Sequence, residues 1–187
     1  MTQLPLSHRL AHRLARSGLR GASWYWRLAR ALDADPGPGL VRLPDGTPLI
    51  HDPTDWTCRL AYEGTYEREI VVLLRDILDS GDSVIDVGAN VGIITAQAAQ
   101  LVGEAGHVIA VEPSPRCGVD LRRVSAEFSN VTVIAAALGP KSGNVEMTGW
   151  DNPDHRGLGT LVSGHRAGLE ENWYDGDTVT VPQIRLQ

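Results

Sequence analysis

At 187 residues the chain has the length of one domain, or of one domain with an extension, and 42% hydrophobic against 21% charged residues excludes a disordered or fibrous class. The formal charge of −6 hides an asymmetry: residues 1–32 hold six arginines and no acid, so the other 155 carry 11 basic and 23 acidic residues. An acidic body of that kind argues against nucleic acid as a partner. Cys58 and Cys117 stand far apart with no metal or redox spacing, so no metal site is expected. No apolar run is long enough to span a bilayer and no signal peptide is visible, which makes the cytoplasm the expected location.

Leu6, Leu10 and Leu14 interleave with Arg9, Arg13 and Arg16 at helical spacing. Ser17-Gly18 and Gly21 break that helix before a second segment around Trp24, Trp26, Leu28 and Leu32. Residues 1–35 are therefore expected to form a basic helical extension that packs on the acidic body, although arginine with tryptophan also suits peripheral contact with an anionic membrane. Asp35-Pro36-Gly37-Pro38-Gly39 is a linker. Residues 40–43 and 47–51 flank Pro44-Asp45-Gly46, a hairpin signal, and residues 56–60 are expected to add a third strand. This small β element, 40–66, would cap the sheet or wall a pocket, and His51 within it is expected to be structural.

The third unit, 67–187, begins with helical spacing at Ile70, Leu73, Leu74 and Ile77 and a stop at Ser80-Gly81. Ser83-Val84-Ile85-Asp86-Val87 is then an apolar run closing on an acid and a valine. Gly88-Ala89-Asn90-Val91-Gly92 is a tight turn, the residues from Ile93 are helical and apolar nearly all round, and His107-Val108-Ile109-Ala110-Val111 again stops at an acid, Glu112. That order is strand, turn, helix, parallel strand. Ligands of such sheets sit beyond the carboxyl ends of the strands, where both acids lie. Glu112 follows Gly92 by 20 residues, about the separation at which an acid accepts hydrogen bonds from ribose hydroxyls. The turn lacks the middle glycine of G-x-G-x-x-G and the lysine of a triphosphate loop, and Asp86 ahead of it suits a cationic head group better than phosphate. Ser114-Pro115 opens a further helix with Cys117, Leu121, Val124 and Phe128 inward; residues 131–138, 144–148 and 179–186 are strands. Between the last two lies a polar, glycine-rich stretch containing His155 and His165.

Three successive signatures, Tyr62-Glu63-Gly64-Thr65-Tyr66-Glu67, Asp86-Val87-Gly88-Ala89-Asn90-Val91-Gly92 and Ala110-Val111-Glu112-Pro113-Ser114-Pro115, resemble those of the FkbM family of class I S-adenosylmethionine-dependent methyltransferases, from about residue 40 to the end. The resemblance implies an α/β, Rossmann-like doubly wound sheet and methyl transfer from S-adenosyl-L-methionine, most naturally to a hydroxyl of a sugar, glycan or secondary metabolite. It implies Asp86, Gly88, Asn90 and Gly92 around the amino-acid end of the cofactor, Glu112 on the ribose, Glu67 toward the sulfonium, and Ala136 and Ala137 at the adenine. For a base, His155 and His165 are the candidates. The family's lysine-isoleucine-aspartate-valine-glutamate-glycine strand has no counterpart here, which leaves residues 84–87 as an open edge: a fragment, or a strand covered by another chain, with a homo-oligomer as one outcome. Two other readings stand beside this one, a truncated cofactor-binding module without catalysis and an NAD-dependent dehydrogenase, the latter opposed by the missing G-x-G-x-x-G.

Overall fold

The structure, a computed structural model, describes residues 2–17, 21–148, 161 and 178–185. Its centre is a sheet of three parallel strands in the order β4 (Ser83–Val87), β5 (His107–Val111), β6 (Val131–Ile134). The register pairs Asp86 with Ala110 and Val87 with Val111, so both strands end level with each other. Helix α5 (Ile93–Val102) joins β4 to β5 and α6 (Pro115–Ser125) joins β5 to β6, as two right-sized parallel crossovers. Alanines 96, 98 and 99 and Val102 are buried on α5, and Val84 and Val108 meet Ala98 and Val102 from the sheet. Asn130 closes this layer by donating from Nδ2 to the carbonyls of Ala99 and Gly103, at 3.1 and 2.7 Å.

The other face is different. Ile85 and Val87 are 48% and 57% exposed, and among the described residues β4 has no strand on its outer side. The expected open edge is therefore present, and it comes with a bare apolar face. Helix α4 (Arg68–Ile77) has the spacing predicted for it, yet Ile70, Leu73 and Ile77 are exposed and Val71 is its buried residue.

The N-terminal third departs from the sequence reading at three points. Residues 56–60, expected as a strand, lie in helix α3 (Trp56–Tyr62), because Asp55 Oδ1 accepts from the Cys58 N–H at 2.8 Å and starts a helix there. A two-residue strand β1 (Thr2–Gln3), unforeseen, pairs parallel with β2 (Gly39–Arg42), which forms the expected hairpin with β3 (Pro48–His51). Helix α1 (Leu6–Arg16) buries His8, Ala11, His12 and Ala15, and leaves Leu6 and Leu10 exposed at 78% and 58%. Small and hydrogen-bonding residues win that face because they let α1 approach closely: His8 Nδ1 lies 2.7 Å from the Tyr62 hydroxyl and Trp26 packs edge-on to its ring. Helix α2 (Ala22–Leu32) is tied down by Trp26 Nε1, donating to the Glu63 carbonyl at 3.1 Å, and by Arg30, which pairs with Asp35 and Glu63. The basic extension thus packs on the body, and its buried Ala11, Trp26 and Ala29 share one core cluster with Val91, Ile93 and Val124.

The predicted strand 131–138 is two strands. β6 ends at Ile134, and β7 (Ala137–Leu138) pairs with β9 (Val179–Ile184), which runs antiparallel to β8 (Gly143–Met147). The chain leaves the parallel sheet at Ala135-Ala136, and that exit brings β7 to the rim of the groove described next.

Asp55→Ala removes the acceptor that starts α3 at a buried position. The expected loss is about 1–2 kcal/mol, read as a lower urea midpoint with an unchanged slope, and Asp55→Asn should recover most of it.

Candidate functional site

The carboxyl ends of β4 and β5 open into a groove with two lobes of about 380 and 270 Å³, a size suited to a nucleoside-bearing ligand. Tyr66, Glu67, Val87, Gly88 and Asn90 line both lobes; Asp86 belongs to the smaller, and Glu112, Ala136 and Ala137 to the larger. The glycine turn is the ridge between them.

Each acid has a structural bond as well as a view of the groove. Asp86 Oδ2 accepts from the Thr95 hydroxyl at 2.5 Å, and the Thr95 amide adds a second bond, so the carboxylate caps the first turn of α5. Glu112 is buried; Oε2 accepts from the Asn90 N–H at 2.8 Å and Oε1 from the Ser114 N–H at 2.7 Å. A carboxylate has about four lone-pair sites, so each oxygen retains one for a ligand hydroxyl. Burial pushes the Asp86 carboxyl above its ordinary range, with Thr95 opposing. Burial also pushes Glu112 up against the pull of the Ser114 and Asn90 amides, and the nearby Asp86 charge adds to the rise. Tyr66, raised to about 12 mainly by burial and then by Glu67, stays protonated.

The turn itself has few donors to offer. Gly88 and Ala89 N–H both bond the Val111 carbonyl, at 2.9 and 3.1 Å, Asn90 N–H is held by Glu112, and Gly92 N–H bonds the Ala89 carbonyl at 2.8 Å. A pyrophosphate cradle needs such amides unengaged. What remains is acceptor-rich: two carboxylates and Asn90 Oδ1, which is buried without a hydrogen-bond partner.

The model of the family described as the methyltransferase FkbM domain matches residues 86–187, more than half of the chain. The chain belongs to the FkbM methyltransferase family. Among solved structures, this FkbM chain is similar to a putative rRNA methylase from Clostridium thermocellum, with 24% identity over 37% of this chain and 40% of that one and a TM-score of 0.36. It is also similar to fibrillarin from Aeropyrum pernix in complex with natively bound S-adenosyl-L-methionine (20% identity, 54% and 41% covered, TM-score 0.33) and to an S-adenosylmethionine-dependent O-methyltransferase from Thermotoga maritima (22%, 53% and 41%, TM-score 0.36). The chain spans about two fifths of the length of each of these three. No curated protein matches it.

Of the residues expected to hold the cofactor of the FkbM domain, seven line the groove: Glu67, Asp86, Gly88, Asn90, Glu112, Ala136 and Ala137. Gly92 lies apart from it. A Cβ there would come within 3.0 Å of Leu121 Cδ1 and 3.3 Å of Val124 Cγ1, so its place is the seam between the turn and α6. Gly88 is the opposite case, with φ +77° and open space where a Cβ would stand. His155 and His165 lie outside the described residues. Sequence reasoning passed over Thr95, whose position nine residues after Asp86 and one turn into a helix was the available signal. It also passed over Met147 and Leu161, which reach the larger lobe from the region after β7 and have no local pattern. Among the described residues no group of acids, histidines and cysteines could hold a metal ion, and no helix is long and apolar enough to cross a membrane.

Because folding raises the proton affinity of Asp86, the folded state keeps a proton that the unfolded chain has released just above pH 3.8, and this contribution to stability falls as pH rises through the folded value. Asp86→Asn is expected to become progressively more stable relative to the parent as pH rises above the ordinary carboxyl value of 3.8, measured by urea denaturation at each pH. A difference that stays constant with pH would refute the raised carboxyl.

Proposed function

We propose that the chain binds S-adenosylmethionine across the Gly88 ridge and transfers its methyl group to a hydroxyl oxygen of a sugar, glycan or secondary metabolite. The observation that carries the reading is the acceptor-rich groove. Its two carboxylates and the orphan Asn90 Oδ1 match an ammonium, a sulfonium and a ribose diol, whereas a nicotinamide dinucleotide would bring two phosphates to a turn whose amides are engaged. The residues fit the cofactor. Glu112 would hold the ribose, Asp86 and Asn90 the amino-acid end, Glu67 would face the sulfonium side, Ala136 and Ala137 the adenine, and the open space at Gly88 would admit the ligand close to the backbone.

When bound, the cofactor supplies an electrophilic methyl on a sulfonium. The chain's own contribution is alignment, since in-line displacement gains most from a fixed approach of the acceptor oxygen. A hydroxyl acceptor also needs a group to take its proton, and His155 and His165 are the proposed candidates. The hydroxyl acceptor itself rests on what the FkbM family resemblance implies.

Titration calorimetry tests this directly. S-adenosylmethionine and S-adenosylhomocysteine should bind saturably, and Asp86→Ala and Glu112→Ala should each weaken binding by roughly tenfold or more, with far-ultraviolet dichroism confirming an intact fold. Binding of NADH without affinity for either sulfur nucleoside would overturn the assignment. Labelled methyl transfer to a panel of hydroxylated saccharides separates the enzyme from a module that binds the cofactor and does no chemistry.

A further inference from the structure

Beyond the ridge, on the other side of Tyr66 and Ile93, lies a second cleft that the methyltransferase reading does not use. It is small, about 60 Å³, room for two water molecules or one small polyatomic ion. Arg68 and Arg75 reach it from one face of α4, Arg16 and His12 from α1, and Gln97 from α5, around Gly64. Three arginines therefore line it. One acid, Asp45, answers them: its Oδ2 lies 2.5 Å from Arg16 Nη1 and 3.6 Å from Arg75 Nη2. Arg68 has no carboxylate partner among the described residues. Three positive charges against one negative leave an excess of two in a cleft with low-dielectric walls.

A second observation points the same way independently. His12 is 1% exposed, it lines this cleft, and its Nε2 is buried with no hydrogen-bond partner. An orphaned ring nitrogen at that depth is costly unless something meets it. Gly64 is what leaves room beside it, since a Cβ at that position would stand 3.0 Å from His12 Nε2 and 2.8 Å from Arg16 Cγ.

We propose that this cleft binds a small tetrahedral oxyanion, either free phosphate or the phosphoryl group of a larger ligand, between Arg68, Arg75 and the orphaned nitrogen of His12. The ligand's oxygens accept from the two guanidinium groups, which are built for bidentate oxyanion recognition, and from the imidazole. Arg16 stays with Asp45 and adds field. The site does not depend on the cofactor assignment; it is formed by the N-terminal extension and α4, so it exists only when α1 is docked.

Inorganic phosphate titrated into the full chain, followed by the His12 imidazole resonances and by calorimetry, tests the site. Saturable binding is expected. Arg68→Gln and Arg75→Gln, both on partly exposed positions of α4, should each weaken it by roughly tenfold. The His12 titration, held down to about 4 by burial first and by Arg16 next, should move upward as the anion loads. Comparison with a sugar phosphate distinguishes the sources: equal affinity assigns the site to the free ion, and tighter binding of the ester assigns it to a phosphorylated ligand. Binding no better than a chloride control, or binding that ignores both arginine substitutions, would overturn the proposal. So would a loss of S-adenosylhomocysteine affinity in Arg68→Gln with 5′-methylthioadenosine binding unchanged, because the anion would then be the cofactor's own carboxylate.

Discussion

One carboxylate organises the groove. Glu112 accepts from the Asn90 amide with one oxygen and from the Ser114 amide with the other, at 2.8 and 2.7 Å, and so fastens the glycine turn to the start of α6. Bonds from a neutral donor to a charged acceptor contribute about 1.5–3 kcal/mol each, more than neutral pairs, and leaving a buried amide without one costs a comparable amount. The same side chain that would receive a ribose therefore sets the distance between the two strand ends that frame the ligand. Thr95 does the parallel task for Asp86 at the head of α5.

Burial in the half-dry groove makes both acids resist ionisation, and for Glu112 the nearby Asp86 charge adds to that rise. A cationic guest relieves this strain and a phosphate would aggravate it. The turn amides, consumed by Val111, Ala89 and Glu112, remove the usual compensation for phosphate. The proposed preference for a sulfonium over a pyrophosphate therefore rests on how the backbone's own hydrogen bonds are spent.

The βαβ core was legible because its signals are local: alternating acids at strand ends, glycines at fixed spacing, a serine and a proline opening α6. Seven of the eight residues expected around the cofactor line one groove for the same reason. Gly92 lies apart from the groove, at a close approach to Leu121 and Val124, and in sequence a glycine needed for packing looks like one needed for a ligand. The strand expected at residues 56–60 failed for want of weight given to Asp55 as a cap, a one-residue cue set against several β-favouring neighbours. Helix α1 shows the harder case. Its leucines promised the buried face, but the histidines and alanines took it, and the hydrogen bond of His8 to Tyr62 and its close approach to Trp26 depend on partners 54 and 18 residues away. The arginine cleft was likewise invisible, as its members come from three helices distant along the chain.

The bare flank of β4 ties architecture to affinity. Among the described residues Asp86 belongs to the outermost strand of the parallel sheet, with Ile85 and Val87 open to water on either side of it in sequence. Any segment that zips onto that flank would stiffen the backbone carrying Asp86, and by thermodynamic reciprocity a ligand gripped by Asp86 would strengthen the zipping. Concentration, neighbouring strands and nucleoside would then act as mutual effectors, with one short ribbon of backbone as the common lever.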